Sequence, residues 1–297
     1  MYGTEYEQGE ICERGYAFFS RAWKEMEFHC VKLEEVCRQK DAEFLGILND
    51  IKYGRNLQNV IAYLESNQSS DLMEEAPYLV GTNAKADKIN QAHMRALDEK
   101  TEKKFWAIIE GDVTYEDIKN ISFAKQSLVV NVGAKVMLTA NDANGEYVNG
   151  TMGTIIDISK ERGDATCIQV LTDKGKKVDV YRYEREIERQ DIEESKEKDK
   201  NGETVIVKKI VRKIVGSFKQ FPIKIAWAMS IHKSQGQTFG QVNIDPRCWD
   251  SGQFYVAVSR AESVAGIHFM APIMKQYIRT LSDEVIKILR ESLYSII

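Results

Sequence analysis

The chain has 297 residues, of which 43% are hydrophobic and 29% charged, with a formal net charge of −4. It is long enough for two ordinary domains or for one large domain with an insertion, and its total charge does not mark a nucleic-acid-binding protein. No apolar run approaches the roughly 18 to 20 residues that span a bilayer, and the acidic start is unlike a signal peptide. The five cysteines are scattered and form no C-x-x-C pair, which argues against disulfides and a zinc ribbon. We therefore expect a cytoplasmic protein.

The first third of the chain has helical periodicity and then an α/β pattern. Asp41 is a candidate N-cap for a helix that Gly54 ends, and Asn56 is a candidate cap for a second helix. "PYLVGTN" predicts a short buried strand that ends in a polar turn, and "AKADKINQAHMRALD" predicts the helix that follows. A strand, a polar turn and a helix form the unit that places ligands at the carboxyl ends of parallel strands.

From about residue 132 the period changes to two, which predicts a small all-β unit, most simply a barrel, over residues 131–219. The unit interrupts an α/β lobe made of residues 1–130 and 220–297. After Pro222 a helical period is predicted to return in "IKIAWAMSIHK". The elements expected next are a strand in "QVNID", a helix in "GQFYVAVSR", a strand in "GIHFM" and a closing helix in "IMKQYIRTLSDEVIKILRESL".

The charges are unevenly distributed. Residues 204–244 contain no Asp or Glu but carry Lys208, Lys209, Arg212, Lys213, Lys219, Lys224 and Lys233, whereas the segment 184–200 before them leans acidic. A long window without carboxylates favours a polyanionic partner. The alternative is a two-stranded ribbon with one basic face.

Four polar clusters follow predicted apolar elements. In "HKSQGQT", Lys and His suit phosphate contacts, and Gly236 lets the backbone approach an anion closely. In "GQFYVAVSRA", a mostly apolar helix delivers Arg260, as stabilisation of a transferring phosphoryl group requires. The other two clusters are Arg38 with Gln39, before the Asp41 cap, and Thr82 with Asn83, after the "YLV" strand.

Each cluster alone has an ordinary explanation. Taken alone, Arg38 would be a solvated neighbour of a helix cap. Thr82 and Asn83 would form an ordinary strand-to-helix turn, and His232 would be a structural histidine. Their occurrence together, in order along the chain, favours a common function.

Two other kinds of site are disfavoured. A hydrolase triad of Ser230, His232 and Asp245 lacks the nucleophile elbow G-x-S-x-G. A metal site lacks the spacing of known closed sites in its potential ligands, which are His29, Cys30, Cys37 and His93.

These strings resemble the motifs of superfamily-one helicases. "AWAMSIHKSQGQTF" and "GQFYVAVSRAESVAGIHF" resemble the last two motifs of the RecD-like branch, which includes the petite-integration-frequency helicases. The segment from "RGYAFFSRAWKEM" to "LNDIKYG" resembles the fourth motif of this branch together with the residues that lead into it. "YLVGTNAKADKIN" resembles the Thr-Asn element that follows that motif. "VGAKVMLTANDANGEYVNGTMGTI" resembles the entry into an inserted small barrel of the Src-homology type.

The resemblance implies a RecA-like second motor lobe with an inserted barrel, cut from a longer DNA helicase. The phosphate-binding loop G-x-x-x-x-G-K-[ST] and the acidic magnesium motif are missing from the sequence. We expect both on a first lobe that precedes residue 1. The chain alone is therefore expected not to hydrolyse ATP.

By the same resemblance, ATP with Mg²⁺ lies between the lobes, and single-stranded DNA crosses both. The implied nucleotide-facing residues, with the two arginines at the γ-phosphate, are Arg38, Arg260, Gln235, Gly236 and Gln237. The residues implied to hold the DNA backbone are Thr82, Asn83, His232, Lys233 and Ser234. A monomer, 5′-to-3′ travel and a role in DNA repair complete this expectation. The alternative is a stand-alone module that binds nucleic acid or protein without ATP.

Overall fold

The computed structural model describes residues 25–26, 39, 41–119, 121, 125–161, 165–198 and 204–280. The helices are α1 (Ala42–Tyr53), α2 (Leu57–Asn67), α3 (Asn83–Arg95), α4 (Tyr115–Ile118) and α5 (Gln253–Val258), with short 3₁₀ turns at Glu99–Thr101, Ile231–Ser234, Val264–Gly266 and Lys275–Tyr277. The strands are β1 (Tyr78–Val80), β2 (Lys103–Trp106), β3 (Ile108–Gly111), β4 (Ser127–Val130), β5 (Lys135–Leu138), β6 (Met152–Glu161), β7 (Ala165–Thr172), β8 (Lys177–Val180), β9 (Tyr183–Lys198), β10 (Thr204–Gln220), β11 (Ile223–Ile225), β12 (Ala228–Ser230), β13 (Val242–Ile244) and β14 (Ile267–Phe269).

Helix α1 has the predicted boundaries, and α2 begins where predicted. The Asp41 carboxylate accepts backbone N–H groups of the first turn of α1, and Gly54 ends that helix with a φ of 68°. Asn56 precedes α2 as predicted, but it makes no side-chain cap bond. Its amide instead donates to Asp50 of α1, at 3.1 Å, and so ties the two helices together.

The predicted α/β fold with a parallel sheet is confirmed. Strands β12, β1, β13 and β14 form a parallel sheet in that order. Buried apolar residues on these strands, such as Leu79 and Ile244, share one core with Phe44 of α1 and Phe254 of α5. Because all four strands run the same way, their carboxyl ends meet at one border of the sheet, which we call the carboxyl edge.

The helix predicted in "IKIAWAMSIHK" is wrong. The structure has β11 and β12 there, followed by a 3₁₀ turn at Ile231–Ser234. The β12 residues are all buried, so both faces of the strand are covered and no exposed position marks the alternation of a strand. A short apolar run of this kind cannot be told from a helix by periodicity. In the predicted closing helix, only a 3₁₀ turn at Lys275–Tyr277 is present up to residue 280, and residues 281–297 lie outside the described part.

The all-β region extends past both predicted boundaries. Strands β11, β5, β6, β7 and β8 form an antiparallel sheet in that order, although β11 lies beyond residue 219. Before residue 131, β2 pairs with β4 and β3 pairs with β10. The barrel itself is not confirmed: in the described ranges β11 and β8 are the two borders of an open sheet.

The first part of the basic window is β10, one strand of a long ribbon, and acidic residues of the other strand face its charges. Strand β10 pairs antiparallel with β9 from one end to the other. Ion pairs join the two strands across the ribbon, namely Lys208–Glu194 at 2.9 Å, Lys213–Asp191 at 2.8 Å, Lys213–Glu193 at 3.2 Å, Lys219–Glu184 at 3.3 Å and Arg212–Glu188 at 3.9 Å. These pairs neutralise much of the positive charge of β10, because the acidic segment before the window lies directly opposite it.

Candidate functional site

The turn after β12 exposes two of its predicted site residues and buries a third. His232 and Lys233 are exposed on the 3₁₀ turn at the carboxyl edge. Ser234 is 0% exposed, and its hydroxyl donates to the Ile231 carbonyl at 2.7 Å. Ser234 therefore closes the turn from within, which corrects its assignment as a DNA contact.

Gly236 gives the next part of the turn its shape. Its φ is 86°, a left-handed conformation that L-residues rarely adopt, and a Cβ built there meets nothing within 4 Å. The glycine is thus required by the backbone and not by a lack of space. It lies exposed beside Gln235, which is also exposed, so the backbone at this point is open to a ligand.

Arg260 and Gln237, predicted from two separate motifs, are in direct contact. The Arg260 guanidinium donates to the Gln237 carbonyl at 3.3 Å and to the Val256 carbonyl at 3.0 Å, and the Ser259 hydroxyl accepts a third bond at 2.9 Å. The Phe239 N–H also donates to the Arg260 carbonyl at 2.9 Å. The segment after α5 and the segment after the 3₁₀ turn are therefore held together along their backbones.

Gln39 holds the Arg260 segment from the other side. It is 4% exposed, and its amide donates to the carbonyl of Ser259 at 3.0 Å and to that of Ala261 at 2.9 Å. These residues flank Arg260 in the sequence. Arg38, the predicted second arginine, lies outside the described residues.

Gly150, in the loop between β5 and β6, lies against the Gln237 side chain. A Cβ built on Gly150 would come within 2.0 Å of Gln237 Nε2, and the glycine has a φ of 92°. The all-β region therefore touches the predicted nucleotide motif through a glycine that leaves room for it.

Thr82 and Asn83 lie at the carboxyl edge, after β1. The Thr82 hydroxyl accepts the Lys85 N–H at 3.3 Å and caps α3, which is the ordinary role considered for it. Asn83 is exposed at the first turn of α3. His232 lies at the same edge, with its Nε2 3.6 Å from an Asp250 carboxylate oxygen. The edge therefore gathers Thr82, Asn83, His232 and Lys233.

Sequence reasoning missed a charged cluster at this edge. Asp245, buried at the end of β13, accepts hydrogen bonds from Arg247 at 2.7 and 3.0 Å and from Lys85 at 3.2 Å. Burial raises the pKa of Asp245, but these bonds lower it more, so the net pKa lies below its ordinary value. The two cations remain about half exposed, at 50% and 46%. The signal was the polar string "DPR" directly after a predicted strand.

In the described ranges, no three His, Cys, Asp or Glu side chains converge as metal ligands would. Nor does any described helix combine the length and apolarity needed to cross a bilayer.

Comparison with known proteins gives relatives of one kind, although no protein-family model matches the chain. The ATP-dependent DNA helicase Pif1 of Bdellovibrio bacteriovorus is 30% identical over 261 residues, which cover 87% of this chain and 54% of the relative. The chain spans about half the length of the curated relatives it matches.

Solved structures agree. Pif1 from Bacteroides sp. in complex with ADP–AlF₄ matches with a TM-score of 0.68 and 27% identity, over 90% of this chain and 57% of that one. Bacteroides Pif1 bound to single-stranded DNA matches with a TM-score of 0.63 and 28% identity, over 89% of this chain and 57% of that one. Each of these likenesses covers about nine-tenths of this chain.

Proposed function

We propose that this chain, which is homologous over most of its length to Pif1 DNA helicases, is the second motor lobe of an ATP-dependent DNA helicase. The observation that carries the proposal is the contact between the Arg260 guanidinium and the Gln237 carbonyl. It joins two sequence motifs into one candidate nucleotide face beside the exposed backbone of Gly236. A Bacteroides Pif1 structure of the same fold holds ADP–AlF₄, which supports a nucleotide at such a face.

In this proposal Arg260 stabilises the charge that develops on the transferring phosphoryl group. Such an arginine contributes on the order of 10³- to 10⁵-fold to the rate. Its bonds to the Val256 carbonyl and the Ser259 hydroxyl hold the guanidinium in place before the nucleotide arrives. Arg38, from the neighbouring motif, is proposed to assist. The described residues supply no acidic cluster for Mg²⁺, which we assign to the first lobe.

The carboxyl edge is proposed to hold the single-stranded DNA backbone. Thr82, Asn83, His232 and Lys233 supply the contacts, and the half-exposed Lys85 and Arg247 add positive charge beside them. The Bacteroides Pif1 structure with single-stranded DNA supports this assignment. Monomeric action, 5′-to-3′ travel, a role in DNA repair and a cytoplasmic location remain part of the proposal by resemblance.

We further propose that the turn between His232 and Gln237 couples DNA to the nucleotide. His232 lies at the DNA end of that turn, and Gln237 contacts Arg260 at the other. In the helicase with both lobes, His232→Ala should reduce DNA-stimulated ATP hydrolysis more than basal hydrolysis. An equal loss of both rates would count against the coupling.

The decisive experiment is an ATPase assay, with and without single-stranded DNA, on this chain and on a polypeptide that carries a first lobe before it. We expect no hydrolysis by the chain alone, DNA-stimulated hydrolysis by the longer polypeptide, and a loss of about 10³-fold or more in its Arg260→Ala variant with DNA binding retained. A longer polypeptide whose ATPase rate is unchanged by Arg260→Ala would refute the motor assignment. That result would favour the alternative, a binding module that acts without ATP.

A further inference from the structure

Trp249 is an exposed aromatic residue that is nevertheless fixed in place. Its indole Nε1 donates to the Gly81 carbonyl at 3.2 Å, and its backbone N–H donates to the Gln253 side chain at 3.1 Å. Its carbonyl accepts a bond from Arg279 at 2.8 Å. Despite these three bonds the residue is 55% exposed. A large apolar ring is thus kept in contact with water in a defined orientation.

Trp249 is connected to both groups of proposed backbone contacts. Gly81, which accepts the indole N–H, directly precedes Thr82 in the chain. Asp250, the residue after Trp249, approaches the His232 ring at 3.6 Å. A Cβ atom built on Gly81 would lie 3.5 Å from the Trp249 indole, so the ring packs against the end of β1.

This arrangement matches the chemistry of a single nucleic-acid strand. Such strands are held by cations and hydrogen-bond donors along the phosphates and by aromatic rings on which bases stack. Lys85 and Arg247, each ion-paired with Asp245 and about half exposed, lie at the same carboxyl edge. A protein partner would need a wider apolar surface, whereas one base needs a single accessible ring face.

We propose that Trp249 is a stacking platform for one base of the single-stranded DNA that crosses the carboxyl edge. This inference rests on the proposed function, since it specifies how that surface holds its ligand. Trp106 offers a matched control: it is 61% exposed, but it lies on β2 in the all-β region, and Lys104 Nζ stands 4.3 Å from its ring centroid.

The test uses the chain itself and two fluorescent oligonucleotides of equal length and charge, a 12-mer of thymidines and a 12-mer of abasic sites. Trp249→Ala should weaken binding of the thymidine strand on the order of 10-fold and change binding of the abasic strand less than about twofold. Trp249→Phe should retain most of the affinity, because the stacking ring is kept. Trp106→Ala should behave like the unaltered chain on both strands.

The outcomes separate the stacking role from the DNA surface itself. An equal loss on both strands, or unchanged binding of thymidine by Trp249→Ala, would overturn the stacking role and leave the DNA surface standing. No binding of either strand by the unaltered chain at low salt would overturn the DNA surface and the stacking role with it.

Tryptophan emission tests the same contact should Trp249→Ala fail to fold. We expect the thymidine strand, but not the abasic one, to quench the emission of the unaltered chain, and we expect this quenching to be lost in Trp249→Phe. Equal quenching by both strands, or quenching that persists in Trp249→Phe, would overturn the stacking role.

Discussion

The substitution Gln39→Ala tests whether the Arg260 segment is held as the structure indicates. It removes the two hydrogen bonds from Gln39 to the carbonyls of Ser259 and Ala261, both of which are buried residues. A hydrogen bond contributes a net ~0.5–1.5 kcal/mol, and a buried acceptor left without a partner costs ~1–3 kcal/mol. Two buried acceptors left without a partner give a local loss of about 2–6 kcal/mol. At about 2 kcal/mol, local opening becomes about 30-fold more frequent.

Hydrogen–deuterium exchange measures this opening directly. The Phe239 N–H donates to the Arg260 carbonyl and the Glu262 N–H donates to the Phe239 carbonyl, so both amides report on the segment. We expect their exchange to accelerate about 30-fold or more in Gln39→Ala. The variant Gln39→Glu should have at least as large an effect, because a carboxylate oxygen then faces a carbonyl oxygen.

Gln276→Ala is the matched control, since Gln276 is exposed and its amide has only a 3.7 Å contact to the Met274 sulfur. It should leave the exchange of both amides unchanged. If Gln39→Ala and Gln39→Glu also leave it within a factor of about two, the two hydrogen bonds do not hold the segment, and the interpretation of Gln39 is refuted.

Three further predictions test other contacts. Gly150→Ala should destabilise the chain by about 1–2 kcal/mol, because the φ of 92° at this position disfavours any residue with a side chain. The added methyl group should also displace the Gln237 side chain. An unchanged melting temperature would contradict this prediction. Lys208→Ala should leave DNA affinity within about twofold, because Lys208 is paired with Glu194 across the ribbon. Lys233→Ala should weaken DNA binding and reduce the slope of log affinity against log salt concentration by about one, as binding titrations at several salt concentrations would show. The pKa of Asp245 is lowered in the fold, so its stabilising effect is complete above the unfolded value of about 3.9 and is lost as the pH falls below it. The Asp245→Asn variant should therefore have a lower free energy of unfolding than the unaltered chain at pH 7. Between about pH 5 and pH 3, urea titrations should show a smaller loss of that free energy in the variant than in the unaltered chain. Two parallel curves of unfolding free energy against pH would contradict this prediction.

Features set by neighbouring residues were predictable from the sequence. Helix α1 begins at the Asp41 cap and ends at Gly54 because both signals act within one turn of the backbone. Strand β1 and its polar turn were found for the same reason. The family resemblance placed Arg260 and Gln237 near one nucleotide, but their direct hydrogen bond was not predicted, since nothing local brings the two together.

Features set by distant residues were not predictable. Strand β12 was misread because burial on both faces removes the alternation that marks a strand. The basic window looked like a binding surface because its neutralising carboxylates lie on β9, which an antiparallel turn brings back alongside. The bond between Lys85 and Asp245 joins positions 160 residues apart, which no pattern in the sequence indicates.

The passage from β11 to β12 has a mechanical consequence. Only Ala226 and Trp227 separate a border strand of the antiparallel sheet from a strand of the parallel sheet, and both are buried. Ile225 and Ala228 are three backbone steps apart, so the link between the two strands reaches at most about 11 Å when fully extended. A displacement of the β5–β11 pair is therefore transmitted through this short buried link to β12 and to the turn that carries His232.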